Sequence, residues 1–319
     1  MKTAVAFPGQ ASQEVGMGLE LKEKYPIAAE LFKRANDVLG FDISGLIAKG
    51  PLEELTKTEN AQPAILLVSY AAYLCLKEET GLRPDFLLGH SLGEYSALCA
   101  SGALGFEDAL RLVRLRGKYM QEACPAGEGA MAAVIGIGGF KTGILVDKAR
   151  YGQALDLANY NAPDQLVISG AREAIERACK IAPELGAKKC MMLNVSAPFH
   201  SELMAPAVAK FRPELEKVQF KDIQIPVIAN YSAAPYTGKE AIVDLLTKQV
   251  DHPVLYYQSI EYIIKAGVNV IIETGPGKVL TGLNKRIVPK EKEVALVNFG
   301  KPEDIGSVRA AISGGVAGA

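Results

Sequence analysis

Apolar residues along this chain fall into short blocks that alternate with longer stretches of helical spacing. Thr3 to Phe7 is an apolar run halted by Pro8-Gly9, which predicts a strand running into a loop. Apolar positions recur three and four apart over about 19–38, 51–57, 62–79 and 106–123, and each stretch predicts a helix. Phe86-Leu87-Leu88 predicts a short buried strand, and Glu94 to Cys99 a helix directly after it. Buried strands alternating with helices are the signature of a parallel α/β layer.

The rhythm changes after Cys124-Pro125. Ala130 to Ile135 predicts a strand, about 140–149 a helix, and Ala154 to Ala158 and Gln165 to Ser169 two strands joined by the turn-rich Asn159 to Asp164. A helix over about 171–182 and a strand over Lys189 to Val195 complete the order βαββαβ, the ferredoxin-like unit. We therefore expect a large α/β domain with a parallel sheet over 1–125 and 197–319, and an inserted ferredoxin-like small domain over 126–196. After Pro198 the α/β rhythm returns, with Val268 to Ile272 a strand ending in Glu273-Thr274-Gly275-Pro276-Gly277. The Gly- and Ala-rich end, from Gly314 to Ala319, is expected to fray.

The composition narrows the partners. The 319 residues include 35 Lys and Arg against 36 Asp and Glu, so the net charge of −1 supplies no long-range field for nucleic acid or an anionic membrane. With 49% hydrophobic residues the chain is too apolar for disorder. The longest uncharged run, Ala61 to Leu76, is sixteen residues, short of a membrane span, and reads as a buried helix. The apolar start ends too soon, at Pro8-Gly9, for a signal-peptide core. Five cysteines, an odd number without a CxxC pair, read as reduced cytoplasmic thiols.

Gly89-His90-Ser91-Leu92-Gly93 matches G-x-S-x-G between an apolar strand and a helix, the context of a nucleophile elbow. The glycines suit a turn too tight for a Cβ, and the helix start aims free N–H groups at the Ser91 oxygen. The alternative is a structural glycine turn. A serine hydroxyl needs a base, and the chain has three histidines, His90, His200 and His252. His90 adjoins the serine and is expected to point away from the substrate. His252, in Asp251-His252-Pro253, reads as a solvated cap at a helix start. His200, at the re-entry into the large domain, is left as the base. On the helix over 106–123, Arg111, Arg114 and Lys118 read as a solvated face, while Arg116 shares a stripe with Leu112, Leu115 and Tyr119. A buried guanidinium needs an anion, either an internal Asp or Glu or the carboxylate of a substrate acyl group, unless the side chain snorkels to solvent.

The ordered set Phe7-Pro8-Gly9-Gln10-Ala11-Ser12-Gln13, Gly89-His90-Ser91-Leu92-Gly93-Glu94-Tyr95, Arg116-Gly117, Asn161-Ala162-Pro163-Asp164-Gln165, Ser196-Ala197-Pro198-Phe199-His200 and Glu273-Thr274-Gly275-Pro276-Gly277 resembles the malonyl-CoA:acyl carrier protein transacylases, to about residue 300. The family loop reads FPGQGSQ. Here Ala11 stands at the second glycine, which calls for ordinary backbone or mild strain. The resemblance implies an α/β-hydrolase-like large domain, with Ser91 as the acylated nucleophile, His200 as its base and the Gln249 carbonyl orienting His200. It implies an oxyanion hole from the Gln10 and Leu92 N–H groups, Arg116 on the malonyl carboxylate, and Phe199 narrowing the pocket against methylmalonyl. The partners implied are malonyl-CoA and acyl carrier protein, in fatty-acid synthesis, with no cofactor or metal and the protein a cytoplasmic monomer. Gly136-Ile137-Gly138-Gly139 lacks dinucleotide-binding spacing. Lys188-Lys189 and Lys285-Arg286 are candidates for an acidic carrier, or simply solvated. The rival readings are a freestanding acyltransferase serving a polyketide synthase, a serine hydrolase, and a non-catalytic scaffold domain.

Overall fold

A computed structural model describes residues 1–314, so most of the end expected to fray, 315–319, lies outside the described residues. Its strands are β1 (Lys2–Phe7), β2 (Phe86–Gly89), β3 (Gly129–Ile135), β4 (Leu155–Ala162), β5 (Gln165–Ala171), β6 (Lys189–Met192), β7 (Val268–Thr274) and β8 (Ala295–Phe299). They make two sheets, ordered β2-β1-β7-β8 and β4-β5-β3-β6. The first is wholly parallel. Every β1 residue after Lys2 is buried, because helices cover both faces of such a sheet. Alternation along the strand divides the two cores. Val5 and Phe7 pack with the Thr58–Thr80 helix, Ala4 and Ala6 with the Tyr256–Lys265 and Val279–Ile287 helices.

The second sheet is antiparallel. The Gly139–Arg150 and Arg172–Ile181 helices bury Leu145, Val146, Ala174 and Ile175 against Ala130, Ala132 and Val134. The alternate residues Met131, Ala133 and Val167 line a cleft shared with the first sheet. Parallel bridging of Asn159 with Val254 joins the two parts of the chain.

Several expectations are corrected. The stretch 19–38 is two helices, Leu19–Lys24 and Pro26–Leu39, because Tyr25 precedes a proline and is extended, with φ −113° and ψ 118°. The uncharged run lies in a longer helix, Thr58–Thr80, that starts before Pro63. No helix among the described residues is long and apolar enough to cross a membrane. Asn159 to Ala162, read as a turn, is strand; only Pro163 and Asp164 separate β4 from β5. The β6 strand ends at Met192, not Val195. Arg114 is not simply solvated, since its guanidinium lies 4.2 Å from the Phe41 ring centroid.

Candidate functional site

Ser91 sits where β2 turns into the Gly93–Ala100 helix. Its φ is +50°, a left-handed conformation that costs a non-glycine residue energy and exposes the hydroxyl at the turn. The flanking glycines permit it. A Cβ at Gly89 would collide with the Gly93 backbone, and one at Gly93 with the Phe7 carbonyl of β1. The Asn230 side chain braces the turn from below: Ser91 N donates to its Oδ1 at 2.7 Å, and its Nδ2 donates to Gly89 O at 2.7 Å.

His200, also at positive φ (+58°), lies 109 positions away in sequence, with Nε2 at 2.9 Å from Ser91 Oγ. Its Nδ1 faces the Gln249 carbonyl at 2.8 Å. A carbonyl can only accept, so Nδ1 carries the hydrogen and Nε2 is left as the acceptor for the serine proton. Burial, reinforced by the nearby Arg116 cation, pulls the imidazole down to about 3. It is therefore neutral at neutral pH, with the Nε2 lone pair facing the serine hydroxyl.

Arg116 comes from the Phe106–Glu122 helix, which closes on the start of the Thr58–Thr80 helix so tightly that a Cβ at Gly117 would strike the Thr58 carbonyl. Arg116 is only 2% exposed. It has no carboxylate within ion-pair distance among the described residues; its partners are neutral. Nη1 donates to Gln62 Oε1 at 2.8 Å, and Nη2 to Gln249 Oε1 at 2.9 Å and Ser91 Oγ at 3.0 Å. Nε finds no acceptor. Of the sequence alternatives, burial removes snorkelling and the internal ion pair is absent among the described residues. Burial lowers the guanidinium's affinity for its proton, against an opposing pull from Tyr95 and Glu94 nearby. An entering anion would meet an underused cation beside the serine.

These groups line a cavity of about 350 Å³ between the two sheets, together with Gln10, Phe199, Met120, Asn161, Val195 and Leu280. Gln10 is held through its Nε2, which donates to Thr58 Oγ1 at 3.2 Å. Neither the Gln10 N–H nor the Leu92 N–H has a protein acceptor among the described residues. Ala11 does not adopt ordinary backbone. Its φ is +79°, with Ala11 N donating to Gln13 Oε1 at 2.8 Å, so the loop keeps the glycine-like shape at the cost of strain. Contrary to expectation, His90 lines the same cavity, its Nε2 2.8 Å from Asn161 Oδ1. His252 lies at the end of the Ile242–Asp251 helix, not at a start, and pairs with Asp251 at 2.6 Å, outside the cavity. Lys188, Lys189 and Lys285 are exposed, while Arg286 is taken up by Asp164 at 2.7 Å.

Sequence reasoning missed the polar groups behind the site. Gln62 is the amide inside the uncharged run, and Glu94, fully buried, is the lone charge in an otherwise neutral helix. Such isolated polar residues on apolar faces are the signal that was there to find. Burial pushes the Glu94 carboxyl up to about 7, against the pull of Tyr236, Gln249, Asn230 and Arg116.

A serine, a neutral imidazole and a buried cation sharing one cavity can form an ester with an acyl group that ends in an acid. Comparison with known proteins agrees with that chemistry. A family model described as an acyl transferase domain matches residues 5–300. The malonyl CoA-acyl carrier protein transacylase of Bacillus subtilis (strain 168) is 49% identical over 296 residues, covering 92% of this chain and 93% of the relative. The Escherichia coli (strain K12) protein of the same name is 46% identical over 285 residues, 89% and 92% of the two chains. The solved structure of the transacylase from Coxiella burnetii superposes with a TM-score of 0.93 at 39% identity, over 97% of this chain and 96% of that one. A malonyl-transacylase solved in complex with its type II polyketide synthase acyl-carrier protein gives 0.93 at 40% identity, over 98% and 100%. This chain therefore belongs to the acyl transferase domain family.

Proposed function

We propose that the protein carries a malonyl group from malonyl-CoA to the phosphopantetheine thiol of an acyl carrier protein, by way of a malonyl ester on Ser91. The observation that carries this reading is the buried Arg116, with no acid at ion-pair distance among the described residues and donating to Ser91 Oγ at 3.0 Å. Its planar fork suits a carboxylate two carbons from the reacting carbonyl.

In the first half-reaction Ser91 Oγ attacks the thioester carbonyl while its proton passes to His200 Nε2. The carbonyl electron pair becomes an oxyanion held by the Gln10 and Leu92 N–H groups; one such donor is worth about 3–4 kcal/mol elsewhere. Collapse expels the CoA sulfur, which takes the proton from His200. Arg116 meanwhile exchanges the serine hydroxyl for the malonyl carboxylate. The second half-reaction repeats these steps with the carrier thiol as nucleophile and Ser91 as leaving group. The Gln249 carbonyl stands where a serine hydrolase would place an acid, which favours transfer over the hydrolase reading. Phe199 walls the acyl pocket, and a branched acyl group would have to displace it.

The same reading assigns 1–125 and 197–319 to an α/β-hydrolase-like domain and 126–196 to a ferredoxin-like domain. The β4-β5-β3-β6 order within a βαββαβ run supports the second assignment. The reading takes the protein as a monomer, ester exchange through a serine and a histidine calls for no cofactor, and the five free cysteines suit a reducing cytoplasm.

Incubation with labelled malonyl-CoA tests the proposal. It requires a malonyl adduct on Ser91 that an acyl carrier protein discharges. Release of free malonate without dependence on the carrier would mark a hydrolase instead.

A further inference from the structure

Behind Ser91 lies a polar cluster whose carboxyl group, Glu94, the chemistry above leaves unused. Glu94, Asn230, Tyr236 and Gln249 are all buried and none lines the cavity. Glu94 Oε1 accepts from the Tyr236 hydroxyl, and Oε2 accepts from Gln249 Nε2 at 2.7 Å and Asn230 N at 3.2 Å. No cation lies within ion-pair distance of Glu94 among the described residues, although it is fully buried. An ionised group in that position is expensive unless its bonds matter.

The Gln249 side chain links this carboxyl group to Arg116. Its Nε2 donates to Glu94 Oε2 and to Ser91 O, both at 2.7 Å, and its Oε1 accepts from Arg116 Nη2 at 2.9 Å. A guanidinium can only donate; a carboxylate and a carbonyl can only accept. The amide therefore has one satisfied orientation. Turned over, it would set NH₂ against NH₂ at Arg116 and oxygen against oxygen at Glu94. The main chain of Gln249 meanwhile faces His200, so a single residue serves the base through its carbonyl and the cation through its side chain.

We propose that Glu94 is a positioning residue for acyl recognition: through the Gln249 amide it holds the Arg116 guanidinium beside the Ser91 hydroxyl, where an acyl group with a terminal carboxylate is received. This rests on the reading of Arg116 given above. A second arm, from Glu94 through Asn230 N to the residue that braces Ser91 N, makes it necessary to separate recognition of the acid from support of the elbow.

The test uses the full chain and two rates. One is loading of Ser91 from malonyl-CoA. The other is sulfonylation of Ser91 by phenylmethylsulfonyl fluoride, a neutral reagent that reads the serine and His200 and carries no acid for Arg116 to bind. Glu94→Ala is expected to slow malonyl loading about 10²-fold, as misplacement of a binding group does, with sulfonylation within about threefold of wild type. Glu94→Gln, which keeps an acceptor oxygen for Gln249, is expected to recover most of the loading. Should Glu94→Ala not fold, Gln249→Met cuts the same link, and the ratio of malonyl loading to sulfonylation is expected to fall by a similar factor whatever the sulfonylation rate itself does. Equal loss of both rates, or unimpaired malonyl loading, overturns the assignment and leaves Glu94 a prop of the turn. If Arg116→Ala loads malonyl as well as wild type, the premise itself fails, which is a different result from normal loading in the Glu94 and Gln249 variants alone.

Discussion

Replacing Arg116 with Ala separates recognition of the substrate acid from reactivity of the serine. The guanidinium makes three hydrogen bonds, to Gln62, Gln249 and Ser91, and has an unused Nε. In the acyl complex two of its donors would face the malonyl carboxylate. A hydrogen bond to a charged group contributes about 1.5–3 kcal/mol, so two amount to about 3–6 kcal/mol. At 1.36 kcal/mol for each factor of ten, kcat/KM for malonyl-CoA should fall by about 10² to 10⁴. Acetyl-CoA has no carboxylate to lose, and the change removes an unpaired buried cation from its path. Any effect through the Ser91 hydroxyl touches both substrates alike and cancels in their ratio. The assay is acylation of Ser91 by malonyl-CoA and by acetyl-CoA on one preparation, read by intact-protein mass spectrometry under single-turnover conditions. The malonyl-to-acetyl ratio should collapse by about 10² or more. An unchanged ratio, with both rates reduced, would refute the reasoning and make Arg116 a packing element of its helix.

Three other outcomes are expected. Because His200 is held near 3 in the folded protein but ordinarily titrates near 6.5, the unfolded chain binds the proton first, and acidification below 6.5 costs stability; Glu94, raised to about 7, works in the opposite sense between 7 and its ordinary 4.5. The stability difference between wild type and His200→Gln should therefore shift by about 2 kcal/mol against wild type from pH 7.5 to pH 5, measured by urea unfolding, and a pH-independent difference would contradict the neutral imidazole. Ala11→Gly should unfold at the same or higher urea concentration, since it relieves the left-handed strain at φ +79°; a loss above about 1 kcal/mol would show that Ala11 is not strained. Phe199→Ser should raise the methylmalonyl-to-malonyl loading ratio by about tenfold or more, the scale of a steric discrimination of about 1–3 kcal/mol, and an unchanged ratio would assign the width of the pocket to another residue.

The alternation of short apolar runs with helical spacing was enough to read seven of the eight strands among the described residues, because burial imposes those periods directly; β8, an only partly buried edge strand, went unread. The reading went astray where polar residues occupy strand positions. Asn159 and Asn161 carry turn propensity, yet both lie on β4 and line the cavity, so tertiary context overrides the local preference. Ser91 was legible because its motif is local. His200 was reached by elimination among three histidines. Gln62 and Glu94 showed only as isolated polar residues in apolar surroundings, and Asn230 was not legible: its meaning depends on a partner brought in by the fold, since it reaches beneath Ser91 from 139 positions away.

The close approach of β1 to the Gly93–Ala100 helix has one more consequence. Phe7 and Gly89 are paired neighbours on parallel strands, and His90 N donates to Phe7 O at 3.1 Å. The amides of Gln10 and Leu92 leave those strands only three residues further on in each case, so their spacing follows from the ladder between the strands. Side chains around the cavity can drift during evolution and change which acyl group is accepted. No substitution except proline removes either amide, and a change that breaks the pairing of β1 with β2 would disperse them.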